Sequence, residues 1–172
     1  MYDADRQYPL GKFSPKENYT LEEIKENIGK IESFPEKINQ VFQKFTTTLL
    51  DTPYRKDGWT GRQVFHHLSD SHLNAYIRCK WTLTEDTPVI KAYNEKAWAE
   101  TSEISGDPVL SVALLMVLHQ KWAMLLRTLS PADFQKSFIH PETNKAVRLD
   151  RLVALYAWHG EHHLAHLNLI LS

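Results

Sequence analysis

The segment LDRLVALYAWHGEHHLAHLNLIL, residues 149–171, decides the reading of this chain. On a wheel of about 100° per residue, Asp150, Glu161 and Asn168 share one side, as a solvent face does. His159 lies almost opposite them, level with Leu152, Leu155, Tyr156 and Ile170. His163 and His166 fall within about 40° of His159. The segment therefore predicts one long helix from about Leu149 to Leu171 that aims imidazoles, not only aliphatic side chains, at the interior of a helical domain.

Trp158-His159-Gly160-Glu161-His162-His163-Leu164-Ala165-His166 holds four of the nine histidines of the chain. His159 and His163 are spaced i, i+4, so their rings project from one face a turn apart, the spacing with which two imidazoles hold one metal ion. His162 and His166 form a competing i, i+4 pair, with His162 about 60° from His159 at the edge of the apolar face. The ordinary alternative is a polar core in which buried imidazoles bond to one another or to carbonyls. The pattern is not that of a zincin, in which H-E-x-x-H puts the glutamate directly after the first histidine. Here Gly160 stands there, and Glu161 points away from the histidines.

Working outward, the remaining elements read as helices too. Thr20 with Glu23, and Thr60 with Gln63, are capping boxes. The first opens a helix marked by Ile24, Ile28 and Ile31, which Pro35 is expected to break or kink before Ile38, Val41, Phe42 and Phe45 resume the pattern. The second opens a long helix to about Leu83. Asp107-Pro108 starts a third, as N-cap and first helical residue, which continues through Leu114, Leu118, Met124 and Leu125 to about Leu129.

Residues 1–19 read as an extended arm, 51–58 as a loop, and 88–106 as a long connection with a short helix near Glu95–Thr101. Pro141-Glu142-Thr143-Asn144 reads as a turn. Four amphipathic helices and few strand signals predict an all-α four-helix bundle in a single domain over residues 1–172.

Composition narrows the function classes. The chain has 172 residues, 24% charged, with a net charge of −1, so it is a globular domain without the basic footprint of a nucleic-acid or membrane-surface binder. Cys79 is alone, which excludes an internal disulfide and fits a small buried hydrophobe. Met1 to Pro9 lacks the apolar core of a signal peptide, and no run reaches the roughly 18 apolar residues of a membrane span. A cytoplasmic protein is expected.

Two histidines make a weak site, and a catalytic zinc ordinarily has three protein ligands. His66, His67 and His72 lie on the second long helix. Thr60, Gln63, His67, Asp70, Ser71, Asn74 and Arg78 form a polar stripe along it, which either faces water or lines a polar cavity with His67 as third ligand. His66 and His72 fall among apolar neighbours.

The runs Tyr8-Pro9-Leu10-Gly11, Asp51-Thr52-Pro53-Tyr54-Arg55, Gly58 to His72, Tyr76-Ile77-Arg78, Asn94-Glu95-Lys96-Ala97-Trp98 and Trp158 to His166 closely resemble the YfiT branch of the DinB/YfiT superfamily, in the same order and with similar spacing. The resemblance implies a four-helix bundle with one divalent metal ion held by His67, His159 and His163. His66, His72, His162 and His166 then pack around the ligands. Gly160 departs from the serine that relatives often carry, and is expected to affect helix stability only.

Zinc is the expected ion, with nickel also accommodated by imidazoles. The resemblance also implies a thiol-dependent transferase using a low-molecular-weight thiol such as bacillithiol against an electrophile, in a homodimer. Asn74 and Arg78 are candidates to hold a carboxylate or sugar of the thiol, and Asp70 to orient a ligand imidazole. Tyr93 and Trp98 are candidates to close the pocket. The alternatives are a metal-dependent hydrolase, with Asp70 as base, and a non-enzymatic metal-binding module in stress response.

Overall fold

The computed structural model describes residues 6–172. The first five residues of the expected arm, and with them most of the stretch read against a signal peptide, lie outside the described residues. Helices α1 (Leu21–Phe42), α2 (Thr47–Leu50), α3 (Gly61–Thr84), α4 (Glu95–Trp98), α5 (Val109–Arg127) and α6 (Leu149–Leu171) are joined by loops and by one hairpin, β1 (Ser137–His140) with β2 (Lys145–Arg148). Both capping boxes form, at Thr20/Glu23 and at Thr60/Gln63, so each satisfies backbone N–H groups that a helix start leaves unpaired.

Pro35 does not end its helix: α1 runs through it. Proline has a helical φ, so the helix continues, while the missing N–H leaves the carbonyl of Ile31 without its helical donor. The segment after Ser130 contains a β-hairpin that its short strands hide in sequence. Its turn is the expected one, with Asn144 at φ 52° and its N–H donating to the His140 carbonyl at 2.8 Å.

The bundle is formed by α1, α3, α5 and α6. Helix α1 packs on α5 and α6, and α3 packs on the same two, so α1 and α3 are diagonal although they are successive long helices. The interior has three layers. One apolar cluster takes Ile24, Ile28 and Ile31 from α1, Ala75 and Cys79 from α3, Trp122 and Leu126 from α5, and Leu152 to Ala157 from α6. A second takes Phe34 and Ile38, Val64, Phe65 and Leu68, Val112 and Leu115, and Leu167 and Ile170 from the same four helices. Between the clusters, at the waist of the bundle, every helix contributes polarity: the Ile31 carbonyl, His67 and His72, His119, and His159 to His166. Cys79 is fully buried, and burial pushes its thiol up to about 11, in keeping with a packing role.

Asp150 is not on a solvent face. It is fully buried at the start of α6, where Arg148 meets both carboxylate oxygens at 3.1 and 2.8 Å and the Arg151 N–H donates to it at 2.6 Å. A paired carboxylate in the first helical turn is electrostatically favourable, and periodicity does not register pairing.

Helix α5 also exceeds expectation, being long and apolar enough to cross a membrane, with a mean hydropathy of 1.7. It is a bundle helix all the same, with His119 and Trp122 fully buried. Its outer stripe of Leu110, Leu114, Val117 and Met124 is exposed.

Gly160 has a packing role beyond helix propensity. A Cβ there would lie 3.0 Å from ring carbons of Phe34, and that ring is stacked on His72 and tilted against His119, each at 5.6 Å. The ring cannot retreat without moving the waist. Gly160→Ala is therefore expected to lower the unfolding free energy by about 1 kcal/mol, although alanine is the better helix former. Combining it with Phe34→Leu should show favourable coupling in a urea-denaturation double-mutant cycle.

Candidate metal centre

His67 on α3 and His159 and His163 on α6 converge at the waist, and one ring nitrogen from each lies within 4.8 Å of the other two. The Nε2 atoms of His67 and His159 are 3.3 Å apart. Zinc–nitrogen bonds of about 2.0–2.1 Å give a tetrahedral edge of about 3.3 Å, so this pair already has the separation of two ligands on one ion. His67 and His163 are buried, while His159 is half-buried. The donor set, three imidazoles and no carboxylate, fits a borderline-soft divalent metal such as zinc or nickel.

Electrostatics prepares these nitrogens. Burial, reinforced by His166, holds the His67 imidazole down at about 4. Burial holds His159 and His163 well below the ordinary histidine value, and neighbouring imidazoles add to it. All three are therefore neutral at pH 7, with lone pairs available. His162 and His166 do not form the site. His162 stacks on Trp158 at 4.6 Å, and His166 stacks on Tyr54 at 3.9 Å. His66 points away and meets Ser111 Oγ at 2.8 Å.

The polar stripe of α3 divides. Gln63 and His67 line a cavity of about 680 Å³ together with Arg55, Trp59, Glu95, Lys96, Glu100, His159 and His163. Ser71 and Arg78 line a second cavity of about 570 Å³ with Tyr93, Tyr156 and His140, and His159 borders this one also. Glu95 and Lys96 of α4 line both, so the short helix in the long connection stands between the two chambers.

Asn74 lines neither chamber, and its amide donates to the Asp70 carbonyl at 2.9 Å. Asp70 makes no hydrogen bond to a histidine among the described residues. Burial, and then the charge of Glu103, raises its carboxyl to about 6. Tyr93 lines the second chamber and packs on Trp98 at 4.7 Å.

Three participants escaped the sequence reading. Arg55 and Trp59 sit in the loop before α3, and Trp59 lies 4.6 Å from His67 and 6.3 Å from His163, ring to ring. His119 is a lone histidine in the most apolar helix. That isolation in an apolar run was its only signal.

The buried histidines make stability depend on pH. In the unfolded chain they take up protons as pH falls through about 6.5. In the folded chain His67, His119, His162 and His166 stay neutral down to about 4. Protons in that window bind the unfolded chain more, so they favour unfolding. Asp70, raised to about 6, acts in the opposite direction but is one group against several. Metal-free protein should hold a level urea midpoint above pH 7 and lose stability steadily from pH 6.5 to 4.

Comparison with known proteins agrees with this geometry. The family model of the DinB superfamily matches residues 30–167. "Putative metal-dependent hydrolase YfiT" of Bacillus subtilis is 45% identical over 168 residues, covering 97% of this chain and 94% of that protein. A relative from Oceanobacillus iheyensis with the same description is 44% identical, covering 95% of this chain and 94% of its own. The solved structure of Bacillus subtilis YfiT, described as a probable metal-dependent hydrolase with an unusual four-helix bundle topology, superposes with a TM-score of 0.94 over 96% of this chain and 95% of that one. The diagonal placement of α1 and α3, the histidine waist and these likenesses lead to one conclusion: the chain belongs to the DinB superfamily, in its YfiT-like branch.

Proposed function

We propose that this protein is a metal-dependent transferase that conjugates a low-molecular-weight thiol, bacillithiol being the expected one, to an electrophilic carbon. One observation carries the proposal: two chambers, not one, border His159. A transfer between two organic molecules needs two binding spaces that meet at the reacting atoms, whereas hydrolysis needs one space and water. A divalent ion on His67, His159 and His163 would supply Lewis acidity, which favours the thiolate over the thiol at neutral pH. In the balance of the reaction the thiol gives up its proton, a sulfur–carbon bond forms, and the electrophile loses a leaving group or opens a ring.

The residues of the second chamber suit an anionic thiol. Arg78 is buried, its Nε has no partner, and no carboxylate among the described residues pairs with it. It holds only the Lys91 carbonyl, at 3.3 Å, and lies over the Tyr93 ring. A buried guanidinium with free donors recognises a carboxylate in two-point fashion. Burial keeps the Tyr93 and Tyr156 phenols protonated, so they can donate beside it. Arg55 plays the corresponding part in the metal chamber, where its Nε is likewise unpartnered.

The names of the relatives favour a second reading, hydrolysis. Asp70, the base expected for it, lines neither chamber, but Glu95 and Glu100 line the metal chamber and could accept a proton from water. The homodimer is also part of the proposal, with the exposed stripe of Leu110, Leu114, Val117 and Met124 as its seam.

The deciding experiment measures thiol consumption with a model electrophile on metal-stripped and zinc-reloaded protein, comparing bacillithiol, glutathione and cysteine. Zinc-dependent consumption selective for one thiol is expected, and thiol-independent turnover of an ester or amide would establish hydrolysis instead. Arg78→Met should raise the KM for the thiol by about tenfold or more with a smaller change in kcat, the loss expected for one charged hydrogen-bonding partner. In sedimentation velocity the wild type should run as a dimer, and Leu110→Glu with Val117→Glu as a monomer.

A further inference from the structure

Behind the metal ligands the rings continue as a chain. His159 Nδ1 lies 3.2 Å from His72 Nε2, His72 Nδ1 lies 2.8 Å from His119 Nε2, and His119 Nδ1 lies 2.5 Å from the carbonyl oxygen of Ile31. The chain passes from α6 to α3, α5 and α1. Its last member is the carbonyl that Pro35, four residues on, leaves without a helical donor. The second α6 ligand has a shorter chain. His163 Nδ1 lies 3.3 Å from His166 Nδ1, and His166 Nε2 lies 3.2 Å from the carbonyl of Gln7.

The end points fix every proton. A carbonyl only accepts, so His119 must carry its proton on Nδ1 and offer a lone pair on Nε2. A neutral imidazole has one donor and one acceptor, so His72 carries its proton on Nδ1 and donates it to His119. His159 Nδ1–H then donates to His72 Nε2, and the lone pair of His159 is left on Nε2, facing His67. The same reasoning from Gln7 puts the His166 proton on Nε2, the His163 proton on Nδ1, and the His163 lone pair on Nε2. His72 and His119 are fully buried, which opposes any charged form that would break this order. Flat packing holds the rings in plane: Phe34 stacks on His72 at 12° and Tyr54 on His166 at 14°.

We propose that His72 with His119, and separately His166, are positioning residues that lock His159 and His163 in the Nδ1–H form, with Nε2 aimed at the metal before it binds. Pro35 serves the first chain by releasing the Ile31 carbonyl that anchors it. The proposal rests on the three-histidine metal site but not on the thiol chemistry. A ligand held in the correct tautomer by its other nitrogen is oriented and more basic, and loss of such a partner ordinarily costs about 10- to 100-fold in metal affinity.

The test uses full-length protein and zinc itself. Long-range proton–nitrogen NMR correlations on metal-free wild type should show Nδ1–H for His72, His119, His159 and His163, and Nε2–H for His166. Zinc affinity is then read by chelator competition. His119→Leu should bind about 10- to 100-fold more weakly with its helical spectrum retained. His119→Gln should recover most of that loss, because its amide can donate to Ile31 and accept from His72.

Absence of zinc binding by wild type would remove the metal site itself. Zinc binding by His119→Leu equal to that of wild type would overturn the positioning role alone. If His119→Leu fails to fold, the wild-type spectrum still decides: an Nε2–H form of His72 or His159 overturns the proposal.

Discussion

The carbonyl of Ile31, deprived of its helical donor by Pro35, is the constraint on which the waist of this bundle depends. A buried carbonyl without a partner costs about 1–3 kcal/mol. Here it is satisfied by His119, whose other nitrogen requires His72, whose other nitrogen requires His159. One chain of hydrogen bonds thus ties all four long helices together at a single level. Hydrophobic packing above and below it supplies most of the stability, but tolerates sliding. Directional bonds between rings do not, so the helices are held in register where the metal ligands must meet.

This arrangement resolves an apparent conflict between stability and function. Filling the centre of a bundle with imidazoles is unfavourable unless every nitrogen is paired. Chains that end on backbone carbonyls pair His72, His119 and His166 and leave Nε2 of His159 and of His163 for the site. The same burial that makes the protein acid-sensitive keeps the ligands neutral at pH 7. Gly160 belongs to this economy of space, since it lets Phe34 lie against His72 and His119.

Two chambers open beside the histidine cluster. His159 borders both of them, with α4 between. Each chamber contains an arginine whose Nε is unpartnered, Arg55 in one and Arg78 in the other. In a protein with a net charge of −1, such local positive sites are a matter of placement and not of composition.

The sequence by itself determined the helices and the histidine-rich inner face of α6. Capping boxes at Thr20 and Thr60 and a continuous wheel from Leu149 to Leu171 are local signals, governed by contacts within a few residues, and they are legible for that reason. His159 and His163 share a helix, so their spacing was readable too, while the choice between them and His162 with His166, and the assignment of His67, came from family resemblance. Only the tertiary structure decided what lies across helices. Pro35 read as a break or kink because His119, which takes up the Ile31 carbonyl, is distant in sequence; Asp150 read as exposed because Arg148 pairs with it out of helical period; Asp70 and Asn74 read like Arg78, yet only Arg78 lines a chamber. Periodicity reports which face a residue occupies, but the polar partner that makes burial tolerable comes from another element, and only the folded chain brings the two together.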